Sequence, residues 1–412
     1  MTSNIIKTPK LVFLAMAFLG PIALNVYAPI MPTLMLALST SADTIQLGMT
    51  LFLSFFALSQ LFCSFFVELF GQRKVLLWGV IIHILGCILA IIANDIYTLL
   101  LARVLQATGG GISLLLTRSL ILDQNSQNKA AANLSYITLG IATLQVIVPT
   151  LSGYLNVIYS WHLIFYVSLI VGLVALWAIY RYLPVVINPT NTLSKKGTIK
   201  ATFKLYGNTF TSPRFFYFTL ANALISGAFF TFVINVPFIV TDTLSGNSLD
   251  YGNWYLIVAL GFWLGSFISS QVSERVGNDK MMKLGWGIDI VAGLVMFFCI
   301  FVYGVSYWSL FTAMAMFTFG RGLSLPNVQV AAATATPYGR FTAMGLFSFC
   351  QLLVGAAIAQ LSTMFVKQNI ILLPIIISLL AIFALISYFQ ANKCKTDSSN
   401  FTASKGNKKI VS

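Results

Sequence analysis

Apolar residues run along this chain in blocks too long for strands and too continuous for helices with one wet face. They fill 11–36, 45–67, 75–93, 96–121, 131–155, 162–183, 214–240, 251–272, 282–303, 308–330, 341–366 and 370–390. About 20 apolar residues in a helix cross the hydrocarbon of a bilayer, and a helix apolar on every side belongs in lipid. The pattern predicts an all-α membrane protein of about twelve transmembrane helices, spans 1 to 12 in the order given. Short gaps make most neighbours antiparallel. The rhythm breaks at 184–213, which opens with Pro184 and Pro189 and collects Lys195, Lys196, Lys200 and Lys204. This segment reads as a cytoplasmic linker between two six-helix bundles, 1–183 and 214–390. A polar, lysine-rich tail over 391–412 is expected to be disordered.

Composition supports lipid as the solvent. Of 412 residues 58% are hydrophobic and 8% charged, where a water-soluble protein carries about a quarter charged. A net charge of +14 raises nucleic acid as a partner, and position argues against it. Lys and Arg gather in alternate gaps (Arg73, Lys74; Arg275, Lys280, Lys283) and at the chain ends. The gaps at 39–46, 94–96, 156–161, 241–253 and 304–307 have none, and Lys367 is the exception. That asymmetry places both termini in the cytoplasm of a bacterial inner membrane. The first apolar block is too long for a signal-peptide core.

Cys63, Cys87, Cys299, Cys350 and Cys394 form no CxxC pair and read as core residues, with no metal and no disulfide. No Walker A, HExxH or nucleophile elbow is present, so neither an enzyme nor a cofactor is expected.

The chain also repeats itself. Glu68, Gly71, Lys74 and Gly79 recur as Glu274, Gly277, Lys280 and Gly285, each 206 residues on, and His83 stands at the same offset from Asp289. Two parallel six-helix repeats are a transporter pattern.

At these residues the chain resembles the major facilitator superfamily, and within it the bicyclomycin-resistance-like (Bcr/CflA) drug:proton antiporters. The helix 2–3 motif is represented by Ser64 through Lys74, with Glu68, Gly71, Arg73 and Lys74 in the positions that latch the halves in that family. Arg103-Val-Leu-Gln106, Arg118 through Asp123, Pro149-Thr-Leu-Ser-Gly153, Trp161-His-Leu-Ile-Phe165 and Gly322-Leu-Ser-Leu-Pro326-Asn327 are similar to further family motifs. Pro149 and Gly153 stand in the antiporter motif of helix 5. Span 1 departs from the pattern: Asn25-Val-Tyr27-Ala-Pro29 has asparagine where the subfamily carries aspartate, and asparagine cannot carry a proton. The resemblance implies a cavity lined by helices 1, 4, 7 and 10.

Polar groups inside membrane helices are costly and mark function or packing. On span 4, Arg103, Gln106, Gly110, Ser113 and Thr117 repeat at steps of three and four and make one stripe, expected to face substrate; a buried interhelical seam is the alternative. Asn25, Tyr27, Asn222, Ser226, Asn235 and Arg321 are further cavity candidates. Asp289 is the most deeply placed carboxylate, expected to pair with Arg321 and, if transport is proton-driven, to carry the proton.

The expected function is alternating-access secondary transport by a monomer, exporting small amphipathic compounds in exchange for protons. Uptake or facilitated transport of a small polar metabolite is one alternative, and a non-transporting sensor or scaffold another. Because acids on the cavity helices lie only at their ends, permanent cations are expected to be poor substrates.

Overall fold

The computed structural model describes the backbone over 9–124, 127–183, 204–336 and 340–407, with the side chains of these ranges except 10, 64, 68, 122–124, 127–136, 274, 340–342 and 395–407. Span 1 is Lys10–Asn25 followed by Met31–Ala37. Spans 2 to 6 are Ala42–Phe70, Gln72–Ile91, Ile96–Gln124, Gln127–Ile158 and Trp161–Tyr182. Spans 7 to 12 are Pro213–Asp242, Ser248–Val276, Asn278–Tyr303, Ala313–Thr334, Arg340–Val366 and Leu372–Asn407. Eleven of these are long and apolar enough to cross a membrane. The remaining one, Ala313–Thr334, is diluted by Arg321, Ser324, Asn327 and Gln329, yet it packs between spans 7, 8 and 9 as fully as its neighbours do.

Local chemistry sets the helix ends. Span 1 stops at Asn25 because Pro29 and Pro32 lack the N–H that would continue it; a single 3₁₀ turn, Ala28–Ile30, restarts the chain. Span 2 begins under a Ser41 cap. Span 8 begins under a full capping box, in which Asn247 accepts from the Asp250 N–H and Asp250 accepts from the Asn247 N–H. The turns between spans 2 and 3 and between spans 8 and 9 rest on Gly71 (φ +82°) and Gly277 (φ +88°), with open space where a Cβ would stand. The repeated glycine therefore answers a backbone requirement that other residues rarely meet.

The halves have the same internal packing. Span 4 lies against spans 1, 2 and 3 as span 10 lies against spans 7, 8 and 9, and span 6 covers span 3 as span 12 covers span 9. Two seams join the halves, span 2 on span 11 and span 5 on span 8, and the repeat exchanges one for the other. With six spans in each half, Lys10, Leu183, Lys204 and the far end of span 12 share one face, here the terminal face; the opposite one is the distal face.

Residues 184–203 of the linker lie outside the described ones, and 204–210 are helical. The tail expected to be disordered from 391 instead continues the helix of span 12 to Asn407, because no proline or glycine interrupts it before Gly406.

Candidate functional site

Span 4 meets span 1 through its polar stripe. Ser113 donates to the Met16 carbonyl at 2.8 Å, Gly110 stands against Gly20, and Arg103 donates from Nη1 to the Ala23 carbonyl at 2.8 Å. Arg103, Gln106, Ser113 and Thr117 are all fully buried. The stripe expected to face substrate is thus a helix–helix seam. The physical reason is that span 1 offers a row of carbonyl oxygens, each with a spare lone pair, at the spacing of the stripe.

Arg103 is also held by rings. Its guanidinium carbon lies 4.4 Å from the Tyr27 ring centroid and 4.3 Å from that of Phe52, while Nη1 donates to Gln106 Oε1 at 2.8 Å. Tyr27 is pinned in turn, its hydroxyl donating to the Ile45 carbonyl at 2.9 Å and its ring end filling the space left by Gly48. Span 10 repeats this arrangement. Arg321 lies 4.3 Å from the ring centroid of Phe229 on span 7 and 5.7 Å from that of Phe262 on span 8. Each half therefore holds an arginine on its fourth helix against aromatics from its first and second. Such cation–π contacts contribute about 2 kcal/mol or more when desolvated.

The two boxes differ in anchorage. Three residues after Arg103, Gln106 reaches its guanidinium; three residues after Arg321, Ser324 donates instead to the Arg321 carbonyl at 3.3 Å. Position 324 is packed against Gly285 as Gln106 is packed against Gly86, but serine is too short to reach the guanidinium. Arg321 is 8% exposed and its Nε is buried without a partner. Among the described residues its guanidinium has no hydrogen-bond partner, and the Nη end is its accessible part.

The expected Asp289–Arg321 ion pair is not made. Asp289 is fully buried and lies within electrostatic reach of Arg321, but neither of its oxygens has a hydrogen-bond partner. Its carboxylate fills the notch left by Gly320, while the guanidinium of Arg321 is drawn onto Phe229. His83, at the same place in the first half, is satisfied: Nδ1 meets the Gln106 carbonyl at 3.0 Å and Nε2 the Ser168 hydroxyl at 3.3 Å.

The other predicted residues spread out. Asn25, partly buried, donates to its own helix at the Pro21 carbonyl, 2.8 Å. Asn222 donates to Gln351 Oε1 at 2.9 Å, and Asn235 to the Thr231 carbonyl at 2.8 Å and Ser362 Oγ at 3.1 Å, so both tie span 7 to span 11. The buried Ser226 hydroxyl has no partner. In the predicted latch, the side chain of Glu68 lies outside the described ones, as does that of Asp123. Arg73 reaches the Tyr180 carbonyl at 3.5 Å, within its own half, and Lys74 is exposed.

Among the described residues, hydrogen bonds between the halves gather toward the distal face. Gln46 donates to the Ile234 carbonyl (3.0 Å), Thr50 to Gln360 (2.7 Å), Thr150 to the Gly252 carbonyl (2.9 Å) and Asn156 to Ser248 (2.9 Å), with an exposed Lys367–Asp43 salt bridge at 3.1 Å. Gly153 abuts the Ser248 carbonyl and Gly252 abuts that of Pro149. Spans 5 and 8 thus meet main chain to main chain, which a side chain at either glycine would prevent. Sequence reading found Pro149 and Gly153 but missed Ser248 and Gly252; of the rings around the two arginines it named Tyr27, as a cavity residue, and missed Phe52, Phe229 and Phe262. Small residues facing each other across a seam carry a recognisable pattern on one helix only; which helix they oppose depends on tertiary packing.

Comparison with known proteins agrees with this architecture. The chain is 23% identical over 351 residues to a bicyclomycin resistance protein homolog of Haemophilus influenzae, covering 84% of this chain and 86% of that one. It is 22% identical over 356 residues to multidrug resistance protein D of Escherichia coli, covering 86% and 88%. Among solved structures, a bacterial homologue of the human lysosomal transporter Spinster, inward-facing and unoccupied, superposes with a TM-score of 0.71 at 15% identity over 96% of this chain and 99% of that one. A peptide transporter POT in complex with sulfate gives 0.78 at 14% identity over 93% and 94%. The family model of the Major Facilitator Superfamily matches residues 13–360. With that match over most of its length and two six-helix halves around repeated motifs, the chain belongs to the Major Facilitator Superfamily.

Proposed function

We propose that this transporter works by alternating access as a monomer, exporting small amphipathic compounds in exchange for protons. The observation that carries the reading is the distal gathering of the bonds between halves. Two rigid bundles tied at one end can rock about that end. By the distribution of Lys and Arg, the distal face is periplasmic and the terminal face cytoplasmic, so the bundle is closed outward and draws its substrate from the cytoplasm or inner leaflet. Relatives named for resistance to bicyclomycin and to multiple drugs support efflux as the direction.

Asp289 is the proton-coupling residue of this proposal. It is a deeply buried carboxylate with both oxygens unpartnered, on a helix that packs against span 10. The proposal is tested in proteoliposomes and in a host lacking its own pumps. Expression should protect the host against some members of a varied toxicant panel, and an imposed pH gradient should drive accumulation of those compounds. Asp289→Asn should abolish the pH-driven accumulation and leave downhill exchange. Accumulation that persists in that variant refutes the assignment of Asp289.

One observation favours a second reading, uncoupled transport of a small polar metabolite. Asn25 stands where the resembling antiporters carry aspartate, and its amide is spent on its own helix. Flux that is indifferent to pH gradients selects this reading.

A further inference from the structure

The two arginine boxes divide what looks like one kind of residue into two. Arg103 is fully buried, donates twice, and lies between two rings; it fastens span 4 to spans 1 and 2. Arg321 lies on the corresponding helix of the second half but at a different depth: Gly320 stands against Gly285 and Asp289 as Gly109 stands against Gly79 and His83, so Arg321 corresponds to Gly110. It is nine-tenths buried, its guanidinium has no hydrogen-bond partner among the described residues, and its Nη end, unlike Nε, is not sealed off. The nearby carboxylate, Asp289, sits behind it in the Gly320 notch without bonding it. Tyr255 of span 8 is the other titratable group within its electrostatic reach. A guanidinium keeps its charge and offers a planar fork of donors matched to a carboxylate or phosphate. Held over Phe229, with Phe262 nearby, that fork lies beside apolar ring surface.

We infer that Arg321 reads an anionic group on the substrate, so that the transported compounds are amphipathic anions, an aromatic or aliphatic body carrying a carboxylate or similar group. The anion takes the Nη end of Arg321, and the apolar body rests on the rings that already flank it. This deepens the proposed efflux function and rests on it. It is narrower than the exclusion of cations expected from the placement of acids, because a neutral compound lacks the group that Arg321 is free to bind. The accessible arginine is the selective one; the buried arginine is a strut.

The test uses the purified full-length chain in lipid nanodiscs and three probes of matched shape: 1-naphthoate, 1-naphthamide and 1-naphthylmethylammonium. Direct binding should rank the carboxylate at least tenfold above the amide, with the ammonium weakest. Arg321→Gln should bring carboxylate and amide within threefold of each other, and Arg321→Lys should restore part of the preference. The thermal midpoint of each variant identifies any that has failed to fold, and the wild-type ranking tests the inference whatever the variants do. Equal binding of carboxylate and amide by the wild type, tighter binding of the ammonium, no binding of the carboxylate, or a preference that survives Arg321→Gln in a folded protein would overturn it. Should any of these occur while pH-driven flux of neutral compounds persists, the anion assignment alone falls. Absence of pH-driven flux for every compound is instead a failure of the efflux reading.

Discussion

Arg103 and Arg321 are one residue type on corresponding helices of the two halves, and environment gives them different work. Arg103 is a buried cation without a carboxylate. Its two charged hydrogen bonds, about 1.5–3 kcal/mol each, both leave from Nη1, and with its two ring contacts they counter part of its desolvation, while Nε and Nη2 are buried without a partner. Arg103→Ala should therefore lower the unfolding temperature of the purified protein by several degrees while leaving the ratio of carboxylate to amide binding unchanged; a changed ratio would move Arg103 into the binding site. Asp95 gives the pH-dependent counterpart at the membrane edge. It caps span 4, accepting from the Thr98 N–H at 2.9 Å and the Thr98 hydroxyl at 2.6 Å, and these bonds hold its carboxyl below the usual carboxylate range. A depressed pKa in the folded state means that the cap stabilises above the ordinary carboxylate pKa and is lost as pH falls through the lowered one. Amide exchange over 96–100, corrected for intrinsic rates, should accelerate on acidification in the native chain and show no such step in Asp95→Asn. That arginine would be costly and meaningful inside a helix was legible in the sequence. Which one kept an accessible end was not, since that depends on the groups that packing brings up: Gln106 and the Ala23 carbonyl for Arg103, and no hydrogen-bond partner among the described residues for Arg321.

At the scale of elements, apolar run length located the helices well, because crossing lipid leaves helices little freedom in length or composition. The exceptions have local causes. Span 1 breaks at Asn25 although its apolar run continues, because paired prolines outrank hydropathy there. Span 10 falls below the apolarity of the others because it carries the polar residues of the site. The span 4 stripe was visible as a stripe, but its facing was not: periodicity gives the angle between residues on one helix and says nothing of the neighbour it turns toward. The span 5–8 seam makes a sharper prediction. Gly153→Val or Gly252→Val adds a side chain where the opposing main chain already stands, so the two helices cannot approach as they do now. Spin labels at the distal ends of spans 5 and 8 should report a wider separation in either variant, with transport reduced at least tenfold. An unchanged separation would mean that the seam is not what closes the distal face.

For the whole molecule, the repeat at an offset of 206 was read from a few turn residues, and the structure extends it to packing and to both seams, while the two arginines fall outside that register. The closure at the distal face came from none of those motifs, because contacts between halves belong to one conformation and not to the fold as such. The closure is also uneven in strength. The Lys367–Asp43 salt bridge joins side chains that are 64% and 50% exposed, and pairs so exposed contribute at most about 1 kcal/mol and weaken with salt. Lys367→Ala should thus leave the label separation and the transport rate within about twofold of the native values, in contrast to the glycine substitutions; a larger effect would shift the weight of the seal to its rim.

The seam between Asn156 and Ser248 has a practical consequence. These two side chains meet at 2.9 Å across the halves, and both lie on helices that must part when the distal face opens. Thiols introduced at both positions would make a reversible clasp: oxidised, the pair would hold the distal face closed and stop turnover; reduced, the cycle would resume. The five native cysteines are all free, with Cys63, Cys87 and Cys350 buried, and none belongs to this seam. One chain could then be halted and released at will, with each half-cycle watched in turn.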